Sequence, residues 1–385
     1  MKASIAGKPA AVDVLVYVED PGAANYCLDL PGALERKGLR TRLLSEGYAL
    51  PYLLSRGSRV EAIQQPASAR EILDEACPRL LVVGTSDNPD SFGFELTSEA
   101  CSRGLANVAV IDAFGNSDKR FRGRTDEPLH HAPDWLVVPD IWTKEAYVAL
   151  GFPEGRIAVC GHPHYDRVLR QAELLEAKDR RQQRRSLFHN EHDERPVCIF
   201  GAEISVGRSG PRQRSPEYTL AGRGERHGRT EIVLEEFLDA VSLLERKPYL
   251  ILRLHPKNTL EELAPYLSSF DQISKNEPSI EIVHAADFIV GMTSILLVEA
   301  AIMGRPTLSI VPRFVETKSL ATIRCGLTIS VTTREKLRAV LPVFLENRLR
   351  TSPDRISEFI RPGSLERTVG FFESLLAHRP AEKDA

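Results

Sequence analysis

The feature that most constrains this chain is a rhythm. Short apolar runs alternate with longer helix-compatible stretches, and the alternation occurs twice along the sequence. Parallel strands need a crossover between them, so this pattern builds βα units around a parallel sheet. In the first half the runs are residues 12–18, 41–44, 80–84, 106–111 and 135–138. A helix pattern from Asn25 to Lys37 follows the first run and stops at Gly38. The stretch from Ile157 to Asp166 reads as the last strand of this half. The second half restarts with a strand at 196–200, an amphipathic helix from Thr230 to Glu245 and a strand at 249–254. A strand at 287–290, a helix from Ile295 to Met303 and a strand at 306–311 complete it. The expected class is α/β, with two Rossmann-like domains. Open sheets of this kind put their ligands at the carboxyl ends of the strands, here in a cleft that the two sheets share.

At 385 residues the chain exceeds one ordinary core. The expected division is an N-terminal domain over 1–165 and a second domain over 166–360. Residues 361–385 then form a C-terminal helix that packs back on the first domain. A formal net charge of −3 disfavours a nucleic-acid partner, which calls for a positive excess. No run approaches the ~20 apolar residues that span a bilayer, and the apolar run at the start is too short for a secretory signal. The six cysteines lie far apart, with no CxxC pair, and read as reduced thiols of a cytoplasmic protein. The charged stretch from Arg167 to Glu194 holds Arg180, Arg181, Arg184 and Arg185. It is either a solvated linker helix or a peripheral contact with anionic lipid.

Three segments can carry chemistry. In the first, a strand ends at Gly291 and Thr293-Ser294 open a helix that later bears Glu299. Helix-start N–H groups, two hydroxyls and the positive end of the dipole make a phosphate seat. Glu299 can then accept from a ribose diol. The competing reading is a capped core helix with an incidental glutamate. In the second, a strand closes in Arg253-Leu254-His255-Pro256-Lys257. Proline ends the ladder and leaves His255 on the rim, where it can neutralise a leaving phosphate with Arg253 and Lys257 alongside. A packed strand-end histidine is the alternative. The third is Gly161-His162-Pro163-His164-Tyr165-Asp166 between the halves. Its histidines and aspartate have the look of metal ligands, but a hinge suits the place better, and no metal is expected.

These motifs, in this order, resemble the GT-B superfamily. They are most similar to UDP-N-acetylglucosamine 2-epimerases, CDP-glycerol glycerophosphotransferases and bacterial sialyltransferases of surface-polysaccharide assembly. In the last two groups a His-Pro motif and a Ser motif hold the donor phosphate, which maps onto His255-Pro256 and Thr293-Ser294. The epimerases share a Gly-x-Pro-x-x-Asp linker, here Gly161 to Asp166, and a ribose-binding glutamate, here Glu299. The resemblance covers residues 134–312 and implies parallel sheets facing a central cleft. The Gly-Thr-Arg-Pro-Glu loop and the His-Val-Glu-Ala-Gly motif of the epimerases are absent, which counts against epimerisation.

The resemblance implies an inverting, metal-independent glycosyltransferase that takes a nucleotide-activated sugar as substrate and needs no cofactor. Its acceptor would be a surface glycan or a lipid-linked precursor. An epimerase or hydrolase, a glycerophosphate transferase and a catalytically silent glycan-binding protein stay open. Inversion needs a base near the attacking hydroxyl. The candidates at strand ends are Asp112, preferred because it sits deeper in the domain, and Glu19 and Asp20, which belong to the first strand's end. Asp112 also has a bland reading, as a helix cap. Gly22 is a loop glycine or lets a ligand approach the backbone. The arginines of the loop 201–229 (Arg208, Arg212, Arg214, Arg223, Arg226 and Arg229) are either solvated or fold over a diphosphate.

Overall fold

The computed structural model describes residues 11–188, 194–204, 213–346, 355–356 and 359–377. The chain forms two compact units, Met1–Asp166 with Arg361–Ala385, and Arg167–Ile360.

The first unit holds seven parallel strands: β1 (Val14–Val18), β2 (Thr41–Ser45), β3 (Glu61–Ala62), β4 (Leu80–Gly84), β5 (Ala106–Val110), β6 (Trp135–Val138) and β7 (Ile157–Val159), in the order β3-β2-β1-β4-β5-β6-β7. β1 and β4 are buried along their whole length, as strands covered on both faces must be. Alternate residues serve opposite cores. Val14, Val16 and Val18 pack on one face with Val82 and Val108. Leu15 and Tyr17 pack on the other with Leu81, Phe92 and Ala109. The C-terminal helix Ser364–Ala377 contributes Leu365, Val369 and Phe372 to the first of these cores. Asp166 fixes its start by accepting from Ser364 N at 2.7 Å and Ser364 Oγ at 3.3 Å.

The second unit holds six parallel strands: β8 (Val197–Gly201), β9 (Tyr249–Arg253), β10 (Gln272–Ser274), β11 (Phe288–Gly291), β12 (Thr307–Ile310) and β13 (Ile329–Val331). Their order, β10-β9-β8-β11-β12-β13, repeats the doubly wound order of the first six strands of the other sheet. Each sheet therefore has one switch point, between β1 and β4 and between β8 and β11.

Four local expectations change. The helix expected from Asn25 to Lys37 is two helices, Pro21–Cys27 and Leu30–Arg36, because Asp29 and Pro31 start a new one. The last strand of the first half ends at Val159. Gly161 turns with φ of 85°, and Pro163 opens a helix to Glu176. A Cβ on Gly161 would lie 2.4 Å from Ser364 Oγ, so the turn admits only glycine.

The helix Arg229–Ser242 is buried nearly all round rather than on one face. Its carboxylates satisfy the preceding loop: Glu236 accepts from Ala221 N and Gly222 N, and Glu235 from Arg223 N and Tyr266 Oη. The arginine-rich helix Arg180–Leu187 is likewise not a wholly solvated face. Arg180 donates to the carbonyls of His284 and Ala286, which end the helix Ser279–Ala285. Arg180 and Arg184 both pair with Asp287, at 2.9 and 2.6 Å, while Arg181 and Arg185 stay exposed.

Phe372 is fully buried in the first unit's core. Phe372→Ala should lower the unfolding free energy by ~3–5 kcal/mol, the range for deleting a core aromatic. Urea denaturation followed by circular dichroism measures this. A loss under ~1 kcal/mol would mean that the helix is not part of that core.

Candidate functional site

In the first unit the loops after β1, β4 and β5 converge at the switch point. Asp20 caps the helix Pro21–Cys27 by accepting from Gly22 N at 3.0 Å. Glu19 is buried, accepting from Tyr17 Oη at 3.0 Å and from Ser86 Oγ. Asp112 follows β5 and takes Arg120 at 2.6 Å. The same Arg120 nitrogen reaches Thr85 Oγ1 at 2.8 Å, and Arg120 Nε donates to the Gly115 carbonyl at 3.1 Å. A Cβ on Gly22 would sit 2.1 Å from Asp112 Oδ2, so Gly22 is what lets this carboxylate pack against the β1 loop.

The three acidic candidates thus belong to adjoining loops, although only Asp112 looked well placed from sequence. Burial pushes the Asp112 carboxyl above its usual range; Arg120 opposes the rise and the charge of Asp20 adds to it. Arg120 was not anticipated, nor was Tyr147, whose fully buried hydroxyl has no hydrogen-bond partner among the described residues. Arg120 lies well inside the long 111–134 connection between β5 and β6, where no pattern in the sequence marks it.

In the second unit the loops after β8, β9 and β11 meet around Thr293. Ser294 caps the helix Ile295–Ile302, its hydroxyl accepting from Leu296 N at 3.2 Å. Thr293 gives both its N–H and its hydroxyl to Glu203, the hydroxyl at 3.0 Å. Arg229 is buried and reaches Glu203 and Glu316, each at 2.7 Å, and Thr293 Oγ1 at 3.2 Å. Arg313 also pairs with Glu316 at 2.7 Å. Burial works to raise the Glu203 carboxyl, yet Arg229 and Thr293 bring it below the usual range. Glu203 and Glu316 were not anticipated. Glu203 lies just after the first strand of its sheet, where a switch-point residue is to be sought.

On the β9 loop, Asn258 Oδ1 accepts from His255 N at 3.0 Å, and His255 Nδ1 accepts from Lys257 N at 3.1 Å. An accepting Nδ1 puts the proton of the neutral ring on Nε2. The Arg253 guanidinium turns toward the sheet edge, to Ser274 Oγ at 2.8 Å and Glu277 Oε2 at 3.1 Å, so its charge is already matched there. Glu299 is buried on the helix Ile295–Ile302 and interacts electrostatically with Arg253.

The described arginines of the 201–229 loop all find partners, although Arg223 stays exposed. Arg214 donates to the Ala221 and Arg226 carbonyls, Arg223 pairs with Asp239 at 2.7 Å and Arg226 with Glu231 at 3.8 Å. The acids come from the following helix, which is why the loop sequence alone looked unbalanced. Arg208 and Arg212 lie outside the described residues. In the hinge motif, His162 and His164 are buried, His162 stacks on Tyr165 with centroids 4.5 Å apart, and the Asp166 carboxylate serves Ser364.

Two doubly wound parallel sheets, one in each unit, are the two-domain α/β fold of GT-B-like type found in the solved structures below. No protein-family model matches the chain, and no curated protein sequence matches it. Solved structures do. The chain is similar to UDP-GlcNAc 2-epimerase from Neisseria meningitidis bound to UDP-GlcNAc, with a TM-score of 0.65 and 14% identity over 95% of this chain and 100% of that one. The UDP-GlcNAc 2-epimerase of Methanocaldococcus jannaschii in complex with UDP-GlcNAc and UDP gives 0.65 and 16% over 94% and 99%. A glycosyltransferase from Rickettsia africae gives 0.58 and 12% over 96% and 100%.

Gly22→Ala should displace Asp112 and expose the cost of the misplaced ion pair with Arg120. The expected loss is ~3–5 kcal/mol of stability, the scale of a broken buried pair. Chemical denaturation measures it, and a loss confined to a few tenths would show that the close approach is readily relieved.

Proposed function

We propose that the protein is a GT-B enzyme acting on a nucleotide-activated sugar, and that it transfers the sugar with inversion to a hydroxyl of a glycan or lipid-linked acceptor. The observation that carries this reading is Asp112, a part-buried carboxyl wedged against Gly22 and gripped by Arg120 just after β5. A carboxyl raised above its usual range by burial is a stronger base than an exposed aspartate. In this reading Asp112 takes the proton of the acceptor hydroxyl as that oxygen attacks the anomeric carbon. The bond from that carbon to the phosphate oxygen breaks on the opposite face, and the nucleotide leaves with the electron pair. The Nε2–H of His255 donates to the departing phosphate, and Thr293, Ser294 and Arg229 hold the rest of the diphosphate. Lys257 adds charge beside it, Glu299 takes the ribose, and the cations of this set do the work a metal would otherwise do.

The structurally similar epimerases in complex with UDP-GlcNAc favour a second reading, inversion at C2 of the sugar. Removal and return of the C2 proton need a base and an acid, and Asp112 and Glu19 are the candidates. Incubation with UDP-GlcNAc alone separates the two. An epimerase forms the C2 epimer, seen by NMR, whereas a transferase releases UDP only when an acceptor is added.

Melting-temperature shifts with UDP, CDP, CMP, GDP and TDP test the common ground, since a ligand of the native state stabilises by mass action. One nucleotide should raise Tm strongly, with the rise lost in His255→Ala and Ser294→Ala and unaffected by EDTA. Asp112→Asn should keep that shift and lose at least ~100-fold in turnover, the scale of general base catalysis. No shift with any nucleotide would overturn the reading.

The pH profile gives a further check. The base must be ionised, so kcat/KM should rise with pH along a limb placed above the usual aspartate range. Asp20→Asn removes a negative neighbour that raises Asp112, and asparagine still caps the helix. The limb should move to lower pH. A limb that stays in place would assign the titration to another group.

A further inference from the structure

The seat expected for the donor phosphate already holds an anion. Glu203 accepts from the N–H and the hydroxyl of Thr293 and from Arg229 at 2.7 Å. Those are the donors that a phosphate at the start of the helix Ile295–Ile302 would use. The Glu203 carboxyl is held below the usual range there, since Arg229 and Thr293 outweigh the effect of burial. We propose that Glu203 is an internal surrogate for the donor phosphate, which occupies the seat when no nucleotide is bound and is displaced from it when one binds. The inference rests on the reading that this seat takes a nucleotide.

The surroundings let the side chain leave without unravelling the loop. The Glu203 carbonyl is held separately, by Thr230 Oγ1 at 2.7 Å and Asn258 Nδ2 at 3.4 Å. The backbone is pinned while only the side chain must turn. Arg229 does not become an isolated buried charge in the exchange, because Glu316 stays paired with it through Nε at 2.7 Å. The incoming phosphate replaces the lost carboxylate on the other side of the guanidinium. Charge and donors are matched before and after, which avoids the large penalty of a bare buried ion. What the exchange costs is affinity. A ligand that must displace an internal competitor binds more weakly than one entering an open seat, by the factor that measures the competitor's hold.

Calorimetric titration of UDP and of inorganic pyrophosphate into the full-length wild type, Glu203→Gln and Glu203→Ala tests this. Both variants should bind each ligand at least ~10-fold more tightly, the scale of one charge-assisted hydrogen bond no longer to be displaced. Unchanged or weaker binding in variants with native circular dichroism would overturn the proposal, and if UDP still binds the wild type, the nucleotide reading stands without it. If UDP binds none of the proteins while pyrophosphate binds the variants more tightly, the surrogate stands and uridine is excluded as the donor base. If neither ligand binds any of the three, the seat takes no phosphate and the proposal falls. A structure of the wild type with UDP decides the matter even if both variants misfold. Thr293 N and Oγ1 should then contact phosphate oxygens with the Glu203 carboxylate turned away, and a carboxylate still on Thr293 beside bound UDP would refute the surrogate.

Discussion

The arrangement of the second unit's strand ends depends on the burial of Arg229. A guanidinium out of water is tolerated only with its charge matched and its N–H groups accepted. Here the matching comes from Glu203 after β8 and Glu316 after β12, with the Thr293 hydroxyl after β11 completing the shell. Three loops that share no sequence proximity are thereby fixed to one side chain, and Arg313 secures the far carboxylate. The first unit uses the same device on a smaller scale. Arg120 gathers Asp112, Thr85 and the Gly115 carbonyl, so the loops after β4 and β5 are held by one buried cation. In each sheet the loops beside the switch point are positioned by an arginine, while the strands themselves are aligned by backbone pairing.

That division explains what the sequence shows and what it hides. The long central strands are legible because they are buried on both faces and read as unbroken apolar runs, as with residues 80–84 and 249–252. The edge strands Glu61–Ala62, Gln272–Ser274 and Ile329–Val331 are short and partly exposed, so no apolar pattern marks them; pairing with a neighbour makes them strands. Helix ends followed local chemistry where capping decides, as at Ser294. They were misjudged at Asp29-Leu30-Pro31, where a proline opens a second helix inside an otherwise continuous pattern.

The arrangement of the candidate site was legible only in part. Asp112, Thr293, Ser294 and His255 were picked because strand ends and helix starts can be found from pattern alone. Glu203 and Glu316 escaped because their shared partner Arg229 is distant in the chain, and Arg120 because a lone charged residue in a loop reads as solvated. The arginines of the 201–229 loop show the same effect. Their charge looked unopposed only because Glu231, Glu235 and Asp239 stand on the following helix.

The link between Asp166 and Ser364 has a consequence for chain architecture. The first unit is built from two stretches of sequence, and the second is spliced between them. The points where the chain departs and returns are bound to each other, with the Asp166 carboxylate on Ser364 N at 2.7 Å. Ends already in contact lose little entropy when they are joined. The first unit is therefore suited to being expressed as a free-standing module, with a short graft bridging the excision. The same geometry makes the second unit a cassette, exchangeable between scaffolds that present a similar pair of neighbouring ends.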